Sequence, residues 1–295
     1  MFKEKRSLKI SHKRTGDEMS TFRYYRKISR PLMTLFGLLA AYAAALVSNG
    51  PTWCTPPKLA VAAVAALSIM SASIYHYGRR HDVYAKKWWD LVLVRNPPTL
   101  IAIGRAGFLA SILIAAIYLP AVCVAIAVGN ALVIFFYGDY LDKYWPYKNL
   151  AIAAICVTPL LLGWLAGHRY NPIMPPAIGA TFFIYLAREV LKDINDLEAN
   201  RGKRFTTVMS LGMPACYLIA STLIILALFF VGLVIDRLPP SPWIMAVFFL
   251  GGGFLVVYAA QLLTLEKAVA RRYKQIDVAV ILMILGLFLV RWQMY

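Results

Sequence analysis

Two carboxylates three residues apart, Asp193 and Asp196, with the amide of Asn200 four residues further on, form the densest group of candidate oxygen ligands in this chain. If a helix continues through them, all three side chains project from one face. Such oxygens suit a hard divalent cation: Mg2+ is usually held by one or two carboxylates together with waters and the phosphate oxygens of a substrate. The surrounding residues, Arg188-Glu189-Val190-Leu191-Lys192 before and Arg201-Gly202-Lys203-Arg204 after, are rich in cations. The acids could therefore also end a helix in water and pair with Arg188, Lys192, Arg201, Lys203 and Arg204. Asp-x-x-Asp is a short pattern that recurs by chance, so the elements around it must decide.

Those elements are membrane spans. Of 295 residues 60% are apolar and 15% charged, against roughly 45–50% and about 25% in a soluble domain. Runs of about 20 apolar residues, enough to cross a hydrocarbon core of roughly 30 Å, predict helices near 32–48, 58–77, 100–118, 120–138, 149–166, 174–191, 213–236, 241–265 and 276–291. Pro120 divides a run too long for one span, and Asn49-Gly50-Pro51, Asn171-Pro172 and Leu238-Pro239-Pro240 mark further breaks. The expected fold is an all-α integral membrane bundle of about nine transmembrane helices, with residues 1–30 a basic tail and 31–295 a single helical domain. No length remains for a separate soluble domain.

Lys and Arg number 31 against 14 acids, a net charge of +17. Such an excess could serve a polyanion, but its distribution speaks for topology. The N-terminal segment and alternate loops carry 26 of the 31 cations, and cytoplasmic loops are the ones enriched in Lys and Arg. The chain therefore reads as a multi-pass protein of the inner (plasma) membrane, N-terminus cytoplasmic and C-terminus outside. Its tail touches anionic lipid rather than nucleic acid. The four cysteines show no Cys-x-x-Cys spacing; three lie within or beside apolar helices and read as packing residues, and Cys54 and Cys123 both fall toward the outer face, where a disulfide is geometrically possible.

The stretch from Arg188 to Arg204, REVLKDINDLEANRGKR, resembles the second aspartate-rich motif of the UbiA superfamily of intramembrane prenyltransferases. Arg30-Pro31 resembles that family's N-terminal Arg-Pro. Residues 137–149 resemble its Tyr-x-x-x-Leu-Lys stretch leading to Gly-Asn. The resemblance implies a cavity among the helices in which two facing aspartate-rich motifs hold Mg2+ and a prenyl diphosphate. It implies loss of diphosphate to give an allylic cation, then attack by a lipophilic or aromatic acceptor. On this footing Asp193 and Asp196 are the catalytic metal ligands, Asn200 is a neutral third ligand, and Arg188, Lys192 and Arg204 belong to the diphosphate shell.

The first motif departs further. Where the family has Asn-Asp-x-x-Asp-x-x-x-Asp, this chain has Ile74, Tyr75, Gly78 and Asp82 at the corresponding positions, so Asp82 alone keeps a carboxylate. Arg79 and Arg80 are then candidates to meet the diphosphate directly, because a guanidinium pairs with phosphate oxygens two at a time. Lys143 stands one residue past the family's lysine position, which is Asp142 here, and Asp139 and Asp142 are a reserve of ligands. His76 and His81 lie nearby, although Mg2+ prefers oxygen.

The rival to a transferase is a degenerate relative or transporter that only binds prenyl lipid. A transporter calls for polar residues and broken helices near mid-membrane. Here helix centres are apolar apart from Arg105 and a few residues such as Asn130, while polar residues gather at the cytoplasmic rim. That distribution favours the transferase.

Overall fold

The computed structural model describes residues 29–294 except 51, 80–96, 138–139, 142–143, 168–169, 201–204, 266–267 and 270–271. Nine helices of at least 17 residues run through the described residues: α1 Pro31–Ser48, α2 Pro56–Arg79, α3 Pro97–Tyr118, α4 Ala121–Tyr137, α5 Tyr147–Leu165, α6 Met174–Asn195, α7 Met213–Asp236, α8 Pro242–Leu262 and α9 Asp277–Met294. Short helical segments occur at Leu197–Asn200, Thr207–Leu211 and Tyr273–Ile276. Proline opens many of the long helices, at 31, 56, 97, 214 and 242. The first turn tolerates it because an N–H there has no helical acceptor. Before α7 the chain turns at Gly212, whose φ of 80° is cheap only for glycine.

The helices overrun their hydropathy limits at the charged end. α2 reaches Arg79, α5 starts at Tyr147, and α6 continues four residues past 191 to Asn195. Hydropathy falls where charge begins, but the helical backbone goes on satisfying its own N–H and C=O groups. These added turns carry Lys148, Lys192 and Asp193, so they build the site.

Seven segments are long and apolar enough to cross a membrane: α1, α2, α3, α5, α7, α8 and Tyr273–Gln293, which includes α9. α4 is shorter, and α6 ends in charged residues. Leu109, Leu113 and Ile117 on α3, and Leu218, Ile225 and Phe229 on α7, form exposed apolar stripes that suit lipid rather than water. The protein is an all-α, multi-pass integral membrane protein.

Two cores share α1 and α5 as a common wall. Ala40, Ala43, Ala44 and Val47 of α1 face α6–α9, whereas Ala41 and Ala45 face α2–α4; Leu160 and Leu162 of α5 divide in the same way. At the crossing, a Cβ on Gly163 would lie 2.2 Å from the Ala41 carbonyl oxygen and 2.6 Å from Ala44 Cβ. Small residues permit that approach in a membrane, where dispersion contacts drive helix packing.

Pro159 interrupts α5 from within. It cannot donate to the Ile155 carbonyl, and the Thr158 hydroxyl donates to that oxygen instead at 2.7 Å. Asn130 Nδ2 on α4 in turn donates to Thr158 Oγ1 at 3.0 Å. Beside this pair is a cavity, lined by Ser68, Phe108, Asn130, Ile134 and Pro159 among others, with space for about one water.

At the opposite end from the charged rim, the few cations are taken up by the protein. Lys58 Nζ is fully buried and donates to the carbonyls of Gly50 and Thr52. Arg237 Nη1 donates to Pro172 O at 2.7 Å, and Arg291 lies over the Trp53 ring.

Candidate functional site

Asp193 is buried near the end of α6, with only 2% of its side chain exposed. The neighbouring helix start supplies its partners. Lys148 Nζ pairs with Oδ1, and Asn149 Nδ2 donates to Oδ2 at 3.2 Å. From the short helix Thr207–Leu211, the Thr207 hydroxyl donates to Oδ2 at 3.0 Å and the Thr207 backbone N–H reaches it at 3.4 Å. Asn149 Nδ2 also donates to Thr207 Oγ1 at 2.9 Å. A carboxylate buried in this way needs full pairing, because an unpaired charge costs several kcal/mol or more. Here both carboxylate oxygens are met by protein donors.

A second polar group lies at the same end of α6. Arg188 Nε is 2.9 Å from Asp277 Oδ1 at the start of α9, and its Nη1 is 3.2 Å from Glu189 Oε1. The guanidinium also lies 5.5 Å from the Tyr273 ring centre and 5.9 Å from that of Tyr185. Lys192 Nζ pairs with Glu189 Oε2 at 3.1 Å while its side chain stays 37% exposed. Arg188 is thus enclosed by acids and rings, whereas Lys192 reaches the surface.

Asp196 caps α6 and is half-buried; Asn195 Nδ2 donates to its Oδ1 at 3.2 Å. Its remaining acceptor capacity is open to a ligand, and a single carboxylate with waters and phosphate oxygens is a normal Mg2+ environment. Of the two aspartates, Asp196 is thus the one whose carboxylate a divalent ion could reach. None fits at Asp193 as it stands, since Lys148 occupies that carboxylate. Among the described residues no group of three or more His, Cys, Asp or Glu side chains converges on a metal position.

The face of α2 that corresponds to the first motif is closed by neighbouring helices. Ile74 and Tyr75 are buried. A Cβ on Gly78 would meet Ile101 and Leu100 at about 3 Å, and one on Gly104 would meet the Tyr75 backbone at 2.9 Å. Tyr75 packs on Phe135, which packs on Phe108; His76 stands edge-on to Tyr137. Tyr75, one ring of this stack, thus stands where the family resemblance implies a carboxylate. Arg79 is exposed at the end of α2.

Asp82, Arg80, Lys143 and Arg204, with His81, Asp139 and Asp142, lie outside the described residues, as does the side chain of Asn200. Three residues to which the sequence assigned no site role emerge as partners of Asp193: Lys148, Asn149 and Thr207. By sequence Lys148 is one more cytoplasmic cation. Its available signal is its place beside Asn149 at a helix start, in the stretch that resembles the family's Gly-Asn.

No family model matches the chain. Curated relatives include the digeranylgeranylglyceryl phosphate synthase of Methanoregula boonei, 32% identical over 106 residues, which are 35% of this chain and 38% of the relative. The enzyme of the same name from Methanospirillum hungatei is 30% identical over 146 residues, 48% of this chain and 49% of the relative. The matched segments thus span less than half the length of these two relatives. Similarity to solved structures extends much further along the chain. A digeranylgeranylglyceryl phosphate synthase structure superposes with a TM-score of 0.75 at 16% identity, covering 92% of this chain and 98% of the other. A UbiA homolog from Archaeoglobus fulgidus bound to GPP and Mg2+ superposes with a TM-score of 0.70 at 14% identity, covering 91% and 99%. The fold is that of the UbiA proteins, and the Mg2+ in that neighbour supports a divalent metal in this architecture.

Proposed function

We propose that this chain, a member of the UbiA superfamily by its fold and its partial sequence likeness, is an integral membrane prenyltransferase that moves a prenyl group from a prenyl diphosphate to a lipophilic acceptor. The observation that carries this reading is the location of the Asp193–Asp196 segment. It ends a helix at the charged rim of an apolar bundle, with Lys148 paired to Asp193, Lys192 paired to Glu189 and reaching the surface, and Asp196 at the helix end. A diphosphate needs cations and hydrogen-bond donors, while a prenyl chain needs apolar surroundings. The two requirements meet at this rim.

Arg79 and Lys192 reach the surface at this end and are suited to draw in the anion. Asp196 would hold Mg2+, with Asn200 and Asp82 as further oxygen donors and with Arg80, Lys143 and Arg204 completing the cationic rim. Bound there, the ion supplies charge neutralisation to the departing diphosphate. Arg188, held between Asp277 and Glu189, fixes α6 against α9 and so positions the segment that follows. The allylic C–O bond breaks with its electron pair leaving on the diphosphate, and the acceptor nucleophile bonds to the carbon and sheds its proton. The run Tyr75–Phe135–Phe108 leads from the charged end of α2 to the cavity beside Asn130.

Both curated relatives bear a name that specifies two geranylgeranyl chains on a glyceryl phosphate. The acceptor to test first is therefore a glyceryl phosphate bearing one such chain, with geranylgeranyl diphosphate as donor. The reaction belongs at the cytoplasmic face of the inner (plasma) membrane, where the positive rim is expected. Purified protein in detergent, incubated with labelled prenyl diphosphates, Mg2+ and a panel of glyceryl phosphate and aromatic acceptors, should give labelled lipid and free diphosphate. Failure to bind or cleave any prenyl diphosphate in such a panel would overturn the reading.

A further inference from the structure

We propose that Arg105, exposed on the lipid-facing side of α3, binds the phosphate group of a phospholipid in the membrane leaflet at the charged rim. Ala102, Leu109 and Leu113, three, four and eight residues away, are exposed on the same face. The other side of α3 is taken up by α2. A Cβ on Gly104 would meet the Tyr75 backbone at 2.9 Å, and the Ser68 and Ser111 hydroxyls lie 3.2 Å apart between the two helices. Elsewhere in the long helices Lys58, Lys148, Arg188, Lys192 and Arg291 all meet protein groups. Arg105 makes no hydrogen bond, ion pair or ring contact among the described residues. A guanidinium turned toward hydrocarbon without a partner is costly, so this face calls for an anion from outside the chain.

The place of Arg105 along α3 brings that anion within reach. The two helices run antiparallel, with Gly78 against Ile101 and Tyr75 against Gly104. Arg105 therefore lies near the level of Ile74, five residues inward of Arg79 at the end of α2, which is about 7 Å along the axis. Side chains on an α-helix lean toward its N-terminus, and the N-terminus of α3 is at the charged rim, so Arg105 leans toward the headgroups and away from the bilayer centre. Ala102, one turn nearer the rim, is too small to block the way. The stem can lie along lipid chains while its head stays at the interface, where a planar guanidinium pairs with two phosphate oxygens at once. A second copy of the chain fits this face less well. Neither α3 nor α4 contains an Asp or Glu, so a twofold contact through them would set arginine near arginine with no carboxylate between.

The test titrates full-length protein in non-ionic detergent with phosphatidylglycerol and, separately, with diacylglycerol, which has no phosphate. Native mass spectrometry reads bound lipids and oligomeric state in the same spectra. Arg105→Gln should weaken one phosphatidylglycerol step by about tenfold, the loss expected for a charge-assisted hydrogen bond, and leave the uptake of diacylglycerol unchanged. Ala102→Glu keeps the arginine but gives it a carboxylate one turn away, and should weaken the same step. Combining the two substitutions should cost no more than either alone, because both act on one guanidinium. Unchanged phosphatidylglycerol binding in Arg105→Gln, or additive losses in the double variant, would overturn the assignment. So would a wild-type dimer that Arg105→Gln converts to a monomer, since the guanidinium would then meet a second copy. None of these readouts depends on prenyl transfer, so the lipid site and the transferase reading stand or fall separately.

Discussion

Arg188 Nε lies 2.9 Å from Asp277 Oδ1, and this contact ties the end of α6 to the first turn of α9. The atoms meet as an ion pair rather than as an aligned hydrogen bond. Asp277 suits its position twice over, because a helix start favours negative charge. Asp277→Asn should lower stability by about 2 kcal/mol, less than the roughly 3–5 kcal/mol for a buried charge left wholly unpaired, since Glu189 still contacts the guanidinium. Reversible unfolding in mixed detergent measures it. A loss no greater than that of Asp236→Asn, at the exposed end of α7, would contradict a structural role for the pair.

Asp193 and Asp196 should separate cleanly under mutation. Asp193→Asn leaves the Lys148 ammonium buried without its anion and should cost about 3–5 kcal/mol. Asp196→Asn removes a half-buried carboxylate and should change stability by about 0.5 kcal/mol or less while abolishing metal-dependent prenyl transfer. Unfolding midpoints and product formation across a Mg2+ series, measured on the same preparations, check both halves. Equal destabilisation by the two substitutions would show that Asp196 is structural.

Gly163→Ala should be destabilising by about 1–3 kcal/mol, the usual cost of overpacking, because its Cβ would strike the Ala41 carbonyl and Ala44. Gly253, in the middle of α8, has open space where a Cβ would stand, with nothing within 4 Å. Gly253→Ala should therefore be neutral, or stabilising by about 0.5–1 kcal/mol through the helix preference for alanine. Parallel unfolding curves for the two variants settle the comparison, and similar losses would mean that α1 and α5 do not cross at Gly163.

Orientation can be read from one thiol. Cys54 is exposed in the connection between α1 and α2, whereas Cys123 and Cys216 are buried. With the other three cysteines replaced by alanine, a membrane-impermeant maleimide should label Cys54 in intact cells. Labelling only after permeabilisation would invert the topology drawn from the positive charges.

Much of the helical framework is legible in the sequence because its signals are local. Pro31, Pro120 and Pro242 lie within a few residues of the expected starts, and 213–236 agrees at both ends. The overruns at Lys148 and Asp193 are hidden by the same charges that make them useful, since hydropathy treats charge as a helix end. The Asp193 motif is legible for a different reason: its residues are close in sequence. Its partners are not, because Lys148 is 45 residues before Asp193 and Thr207 is 14 after it. Only helix packing brings them together. By spacing Tyr75 is a missing ligand, and its actual role, filling the approach of α3 at Gly104, depends on a neighbour that no spacing rule identifies.

The wall formed by α1 and α5 makes the two halves of the molecule mutationally independent. Ala41, Ala44, Ala45 and Gly163 leave no space for a methyl group between these helices, so a change of volume on one side cannot be relieved on the other. A bulkier residue among α6–α9 must be absorbed there, beside the Arg188–Asp277 tie. One among α2–α4 has the small cavity near Asn130 and Phe108 to draw on. Substitutions that add volume to the core therefore have their slack on the α2–α4 side, where libraries can be concentrated without disturbing the charged residues that α6 carries.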